Sequence, residues 1–119
     1  MLIFALILAT PTPLTEIHQR DISCVVEIAI LANAQKRGVA SGADVQVKGR
    51  RWAGIVGDRI IFETRQPREL VAVAMTEAAQ ARAARKVDTA TVADCARQMN
   101  KELAIADAAD LPLPKPVKL

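Results

Sequence analysis

Residues 49–60 of this chain read GRRWAGIVGDRI, and the twelve residues fit two different secondary structures. As strands they belong to a central hairpin over residues 51–64, with Gly57-Asp58 as the two-residue turn. As a helix they place Gly49, Ala53 and Gly57 at intervals of four on one face, where small side chains let a second helix approach closely. The adjoining apolar face would carry Trp52, Ile55, Val56 and Ile60. Because both faces fit the helical period, we predict a helix over residues 43–66, although each glycine costs about 1 kcal/mol relative to alanine.

The segments on either side of this stretch also have helical patterns. A first helix is predicted over residues 19–37, with Asp21 as its N-cap and Gly38 as its stop. A third follows Pro67 and extends to about residue 85 or 86. A last helix starts after the N-cap Asp88, where Val87 and Val92 have the spacing of a hydrophobic staple. The fold class predicted is therefore all-α, a small four-helix bundle-like domain over residues 14–110, with an α+β fold containing the 51–64 hairpin as the alternative.

The composition is consistent with one helical domain. The chain has 119 residues, 51% of them hydrophobic, and alanine supplies much of that fraction. Its aromatic residues are Phe4, Trp52 and Phe62. A core built from such small side chains suits closely packed helices.

The two ends of the chain differ from the predicted domain. Residues 2–9, LIFALILA, have the length of a signal-peptide apolar core and are too short to span a bilayer. We predict a signal peptide or apolar leader over residues 1–13, a periplasmic or secreted protein, and no stable membrane span; the alternative is a first element that joins the core. Residues 111–119 are proline-rich and should form an extended tail.

The two cysteines both lie on apolar helical stripes. Cys24 shares its stripe with Ile28, and Cys95 shares its stripe with Met99. In an oxidising compartment they are expected to form a disulfide between the first and last helices, so that Ile28 and Met99 contribute to one core. Two unpaired core thiols are the alternative.

Charge and motifs exclude several functions. The net charge is +3 and the basic residues are scattered, so no nucleic-acid partner is expected. The sequence has no phosphate-binding glycine loop, no metal-ligand spacing and no catalytic pair, so we predict no catalytic residue, no metal and no cofactor. The best candidates for contacting a partner are Lys48, Arg50, Arg51 and Trp52.

Three further polar positions lead to explicit expectations. His18 should be exposed, because it precedes the first predicted helix. Glu27 interrupts an apolar run and should pair with an arginine from a neighbouring helix; a functional carboxyl group with a raised pKa is the alternative. Arg59 and Glu63 should form an i,i+4 pair.

Five segments resemble parts of small, uncharacterised exported proteins of alphaproteobacterial type: the apolar leader, DISC at residues 21–24, AGIVGD at 53–58, ETRQPRE at 63–69 and VADC at 92–95. The resemblance implies an all-helical fold with one disulfide, and it implies no activity. A looser similarity in architecture is to small periplasmic acid-stress chaperones, which also join helices by one disulfide.

The leading functional hypothesis is a non-enzymatic exported helical protein that acts through contacts with an unknown protein partner. A periplasmic stress chaperone is the first alternative, and it would lose order and expose apolar surface on acidification. A basic helical protein associated with nucleic acid is the second, and it would require reduced cysteines. The sequence does not indicate an oligomeric state.

Overall fold

The computed structural model describes residues 10–86 and 88–109, which form four helices and contain no strand. The helices are α1 (Glu16–Lys36), α2 (Gln46–Thr64), α3 (Arg68–Ala83) and α4 (Thr89–Ala109). The predicted all-α fold is confirmed, and the alternative hairpin over residues 51–64 is wrong because those residues lie within α2. Most of the predicted leader (residues 1–9 of 1–13), Val87 and the predicted tail (residues 111–119) lie outside the described residues.

Helices α1 and α2 form the centre of the fold. Each packs against the other and against both α3 and α4, whereas α3 and α4 do not pack against each other. Their central position follows from the sequence, because α1 is apolar on most of its circumference and α2 has a continuous apolar face. The buried hydrophobic residues are Ile22, Val25, Val26, Ile28, Val45, Trp52, Val56, Ile60, Val71, Cys95, Met99 and Leu103. Ile28 and Met99 thus belong to one core, as predicted.

Gly49 sets the close contact between α1 and α2. A Cβ atom at this position would lie 2.9 Å from the Cγ2 atom of Ile28, which is too close for two carbon atoms. Gly57 serves the contact with α3 less strictly, since a Cβ there would meet the Cε atom of Met75 at an ordinary 3.7 Å. The small-residue face predicted for α2 therefore lies where other helices approach.

The helix ends agree with the predicted signals except at the start of α1. Gly38, with φ of 74°, follows the last turn of α1 as predicted. Asp88 accepts a hydrogen bond from the backbone N–H of Ala90 and one from the Thr91 hydroxyl, which confirms it as the residue that caps α4. These hydrogen bonds lower the pKa of Asp88, and the bond from the Thr91 hydroxyl contributes most.

The predicted N-cap Asp21 is wrong, because α1 begins one turn earlier. Thr15 caps the helix, and its hydroxyl oxygen accepts a hydrogen bond from the backbone N–H of His18 at 3.3 Å. The ring of His18 completes a capping box, in which its Nδ1 atom accepts the backbone N–H of Thr15 at 3.0 Å. Histidine here takes the place that glutamate or glutamine usually has in this motif.

The disulfide joins the two helices that the sequence predicted. Cys24 of α1 and Cys95 of α4 are bonded, with their Cα atoms 5.1 Å apart and a sequence separation of 71. The predicted alternative of two free thiols is therefore wrong. The bridge fixes α4 to α1, and α2 and α3 lie in the loop that it closes.

The chain that leads into α1 is held against the turn between α2 and α3. The backbone N–H of Thr12 donates to the carbonyl oxygen of Thr64 at 2.8 Å, and the side chain of Gln66 donates to the carbonyl oxygen of Thr12 at 3.0 Å.

Among the described helices, none combines the length and the apolar character needed to cross a membrane.

Candidate functional site

The four residues predicted to contact a partner do not share one surface. Lys48, Arg50 and Arg51 are exposed, and Arg51 forms a 2.6 Å ion pair with Asp107 of α4. Trp52 is fully buried, so its assignment to an interaction surface is wrong. The helical period explains the difference, because a residue directly after two exposed positions turns toward the core.

A second set of α2 residues lies together on the solvent side of the helix. Positions 47, 50, 51, 54, 58 and 62 recur at intervals of three or four and therefore share one face. We call this the α2 outer face, and it comprises Val47, Arg50, Arg51, Gly54, Asp58 and Phe62. All six are exposed.

The two ends of the α2 outer face are apolar. Val47 is 69% exposed at the start of the helix, and Phe62 is 83% exposed near its end. A single exposed apolar side chain is common on a protein surface. Two that lie on one helix face, seven residues before and eight residues after a central glycine, form a pattern that packing among the described residues does not require.

Gly54 lies at the centre of the α2 outer face, and no contact among residues 10–86 and 88–109 explains it. A Cβ atom added there would meet no heavy atom within 4 Å. A glycine in the middle of a helix costs about 1 kcal/mol relative to alanine. At Gly49 that cost is offset by close packing against α1, whereas at Gly54 nothing within the described residues offsets it.

Charges of opposite sign lie on either side of Gly54. Arg50 precedes it by one turn, and Asp58 follows it by one turn. Asp58 forms a 3.0 Å pair with Arg68, but both side chains are mostly exposed. Exposed pairs of this kind contribute about 0–1 kcal/mol and can exchange partners at little cost.

Beneath the opposite face of α2 lies a polar network that connects three helices. The indole N–H of Trp52 donates to Glu102 at 2.8 Å, and Arg59 donates to Glu102 at 3.1 Å and to Asp21 at 3.2 Å. Gln98 donates to both carboxylates, at 2.9 Å to Asp21 and at 3.1 Å to Glu102. The predicted pair of Arg59 with Glu63 is therefore wrong, because Arg59 instead bridges carboxylates on α1 and α4.

The protonation of Glu102 follows from its partners. Burial alone would raise the pKa of this carboxyl group, but hydrogen bonds from Trp52, Gln98 and Arg59 outweigh it and lower the pKa. Glu102 is consequently ionised at neutral pH and serves as an acceptor for three donors. A general acid needs the opposite shift.

His18 is buried, so the prediction that it is exposed is wrong. It is 6% exposed, and its Nε2 atom lies 2.8 Å from an oxygen of Glu63. Because Nδ1 accepts the backbone N–H of Thr15, the geometry places the ring proton on Nε2, which donates to Glu63. Nδ1 therefore caps α1, and Nε2 holds the start of α1 against the end of α2.

Glu27 forms a buried ion pair with Arg82 of α3, which confirms the predicted pairing with an arginine from a neighbouring helix. The hydrogen bond to Glu27 raises the pKa of Arg82, although burial opposes it. Arg82 also donates to the carbonyl oxygen of Arg85 at 2.8 Å. The second carboxylate oxygen of Glu27 and the Nη2 atom of Arg82 have no hydrogen-bond partner. The pair is the polar contact that fixes α3 to α1.

These polar groups have structural partners, and the arrangement offers little chemistry. Both cysteines are oxidised, and the imidazole of His18 is occupied at both nitrogens. Across residues 10–86 and 88–109, no group of three His, Cys, Asp or Glu side chains is placed to hold a metal ion. The Thr91 hydroxyl donates to the carboxylate of Asp88, and this pair caps α4. The α2 outer face is a feature that packing among the described residues does not explain.

Sequence reasoning missed Gly54, Asp58 and Phe62 as parts of a surface. The available signal was the spacing of residues 47, 50, 54, 58 and 62, which places each of them about 120° or more from the buried Val56 around the helix axis. The sequence also contained the i,i+4 spacing of Gln98 and Glu102, but their partners on α1 and α2 depend on tertiary packing.

Comparison of the chain with protein-family models, with curated proteins and with solved structures gave no match. What the structure establishes is a small all-helical protein with one disulfide, as the resemblance implied, and no family is identified.

Proposed function

We propose that this chain is a non-enzymatic exported protein that acts through protein–protein contacts made by the α2 outer face. The observation that carries the proposal is the exposure of Phe62 and Val47 on one helix face around Gly54, where a Cβ atom would meet no atom of the described residues within 4 Å. An exposed apolar patch that internal packing does not require is typical of an interaction site.

The disulfide supports the exported part of the proposal. Bridges of this kind persist in the periplasm and outside the cell, and they are rare in the reducing cytosol. The apolar run over residues 2–9 supports it independently. Mass spectrometry of the protein from its native host provides the test, because an intact Met1 on a chain with two free thiols in the cytosol would contradict export.

The interaction itself can be tested by photo-crosslinking in the native host. A benzophenone side chain at position 62 should yield a discrete crosslinked species, because it lies on the α2 outer face. The matched control is position 105 on α4, where Ile105 is 61% exposed but does not belong to that face. Equal or absent crosslinking at the two positions would contradict the proposed function.

A periplasmic stress chaperone is a second candidate, and the capping box of α1 favours it. Nδ1 of His18 is the acceptor for the backbone N–H of Thr15, and an imidazole that carries a proton on both nitrogens has no acceptor to offer there. A chaperone should then bind a hydrophobic dye and suppress the aggregation of an acid-unfolded protein as the pH falls. His18→Gln should remove that response, and a response unchanged by the substitution would contradict this role of His18.

A further inference from the structure

We infer that the partner of the α2 outer face is a second copy of this chain, packed antiparallel across a two-fold axis that passes close to Gly54. The inference rests on the proposed function, because it assigns an occupant to the same face. Most soluble oligomers of one chain have two-fold symmetry, in which the same patch of both copies meets.

The charge pattern of α2 is self-complementary about Gly54. An antiparallel two-fold axis at a residue brings each position before it next to the position equally far after it in the other copy. Arg50 lies four residues before Gly54, and Asp58 lies four residues after it. The axis would therefore place each Arg50 beside Asp58 of the second copy, and the contact would occur twice.

The apolar ends of the face match in the same register. Val47 lies seven residues before Gly54, and Ile61 and Phe62 lie seven and eight residues after it. Each Val47 would consequently meet the aromatic end of the second copy. Phe62, 83% exposed in one chain, would lose most of that exposure in the dimer.

Gly54 supplies the close approach that the crossing point needs. Packed helix axes lie about 8–10 Å apart, and the distance depends on the side chains at the contact. With hydrogen at position 54 in both copies, the two backbones can come near the lower value. This gives the glycine the role that packing within one chain does not give it.

The same residues argue against a parallel pairing. A parallel two-fold arrangement places identical positions together, so Arg50 would face Arg50 and Asp58 would face Asp58. Like charges in direct contact are destabilising. The exposed pair of Asp58 with Arg68 does not prevent the antiparallel contact, since such pairs are worth about 0–1 kcal/mol.

The interface should be weak. The face spans about 22 Å of one helix, and a contact between two single helices buries less than a standard-sized protein interface. Contacts of this size belong with the weak, transient interfaces. The equilibrium would therefore shift with small changes in local concentration.

Charge exchange in the full-length oxidised chain tests the inference. Sedimentation equilibrium from about 10 μM to 1 mM should show a monomer–dimer equilibrium for the wild type. Arg50→Glu and Asp58→Arg should each weaken the dimer at least about tenfold, because each creates two like-charge contacts. The double variant should recover to within about threefold of wild type, and an equimolar mixture of the two single variants should form a heterodimer.

A third variant tests the crossing point separately from charge. A Cβ atom at position 54 meets no atom of the described residues within 4 Å, so Gly54→Leu should leave the thermal unfolding midpoint unreduced while it weakens the dimer. Circular dichroism of every variant verifies that the fold is intact. A wild type that stays monomeric throughout, a double variant that does not recover, or a dimer unaffected by Gly54→Leu would each overturn the inference.

Failure of this inference is distinguishable from failure of the proposed function. If the chain is monomeric but position 62 crosslinks to a different protein in the native host, the second copy is excluded and the interaction face stands. If neither a dimer nor a specific crosslink is observed, both are wrong.

Discussion

Gly49 and Gly54 lie five residues apart in the same helix, yet their surroundings have nothing in common. A side chain at Gly49 would collide with Ile28, whereas a side chain at Gly54 would enter open space. Gly49 is thus required by the packing of α2 against α1. Gly54, on the other face of α2, meets no such requirement among the described residues. The comparison shows why a glycine becomes informative about function only when its neighbours are known.

The strongest test of this difference between the two faces removes one aromatic residue from each. Trp52→Ala should lower the free energy of unfolding by about 3–5 kcal/mol, because it empties a fully buried site and leaves Glu102 without one of its donors. Phe62→Ala should change it by no more than about 0.5 kcal/mol. Urea denaturation at dilute protein concentration measures both, and losses of similar size would show that the two faces do not differ as described.

The packing on the buried side of α2 can also be weakened by a substitution that lies outside this helix. Cys95→Ser removes the covalent bond between α1 and α4 and should cost roughly 2–5 kcal/mol while the helical content is retained. Reduction of the wild type is the matched control and should have the same effect. Thiol titration of denatured, unreduced protein should detect no free thiol, and two free thiols would contradict the bridge in that sample.

A smaller and more specific effect is expected when the two glycines are replaced by alanine. Gly54→Ala should raise the free energy of unfolding by about 1 kcal/mol, because it gains helix propensity in open space. At Gly49 the same gain in helix propensity is opposed by a steric clash, because the new Cβ atom would lie 2.9 Å from Ile28, which is 1% exposed. Overpacking of this kind costs about 1–3 kcal/mol. The two substitutions should therefore change stability in opposite directions, and stabilisation by both would contradict the close contact at Gly49.

The smallest expected effect is on unfolding at acid pH, and it comes from Glu102 in the polar network on the buried side of α2. The pKa of Glu102 is lowered in the folded state from its ordinary value of 4.5, so the carboxylate stabilises the fold above that value. As the pH falls through the lowered pKa, this contribution is lost. Glu102→Gln should flatten this part of the acid unfolding profile, and a profile of the same steepness in both proteins would contradict the contribution.

The helices could be predicted because their signals are local. Pro67, Asp88 and Gly38 mark boundaries through backbone chemistry that depends on a few neighbouring residues. That Cys24 and Cys95 face the core could be predicted for the same reason, since each lies on an apolar stripe with the helical period. The starting residue of α1 was missed because Thr15 and His18 form a capping box with histidine in an unusual role.

The polar partners and the interaction face could not be predicted in the same way. Arg59 has a nearby acid at Glu63, and only the packing of α1 and α4 shows that Asp21 and Glu102 are closer. His18 is buried because the chain before α1 lies against the end of α2, a contact between residues about fifty positions apart. Trp52 was assigned to the surface by its basic neighbours, although its position in the helical period was the better guide.

The bond between Cys24 and Cys95 also determines what a protease can do to this molecule. Both α2 and α3 lie wholly within the loop that the bridge closes. A single cut at the exposed Arg65, in the turn between them, would break the backbone and leave one covalent molecule. Outside the cell, where such cuts are frequent and disulfides persist, the nicked chain would keep α1 and α4 joined and would separate into two fragments only after reduction.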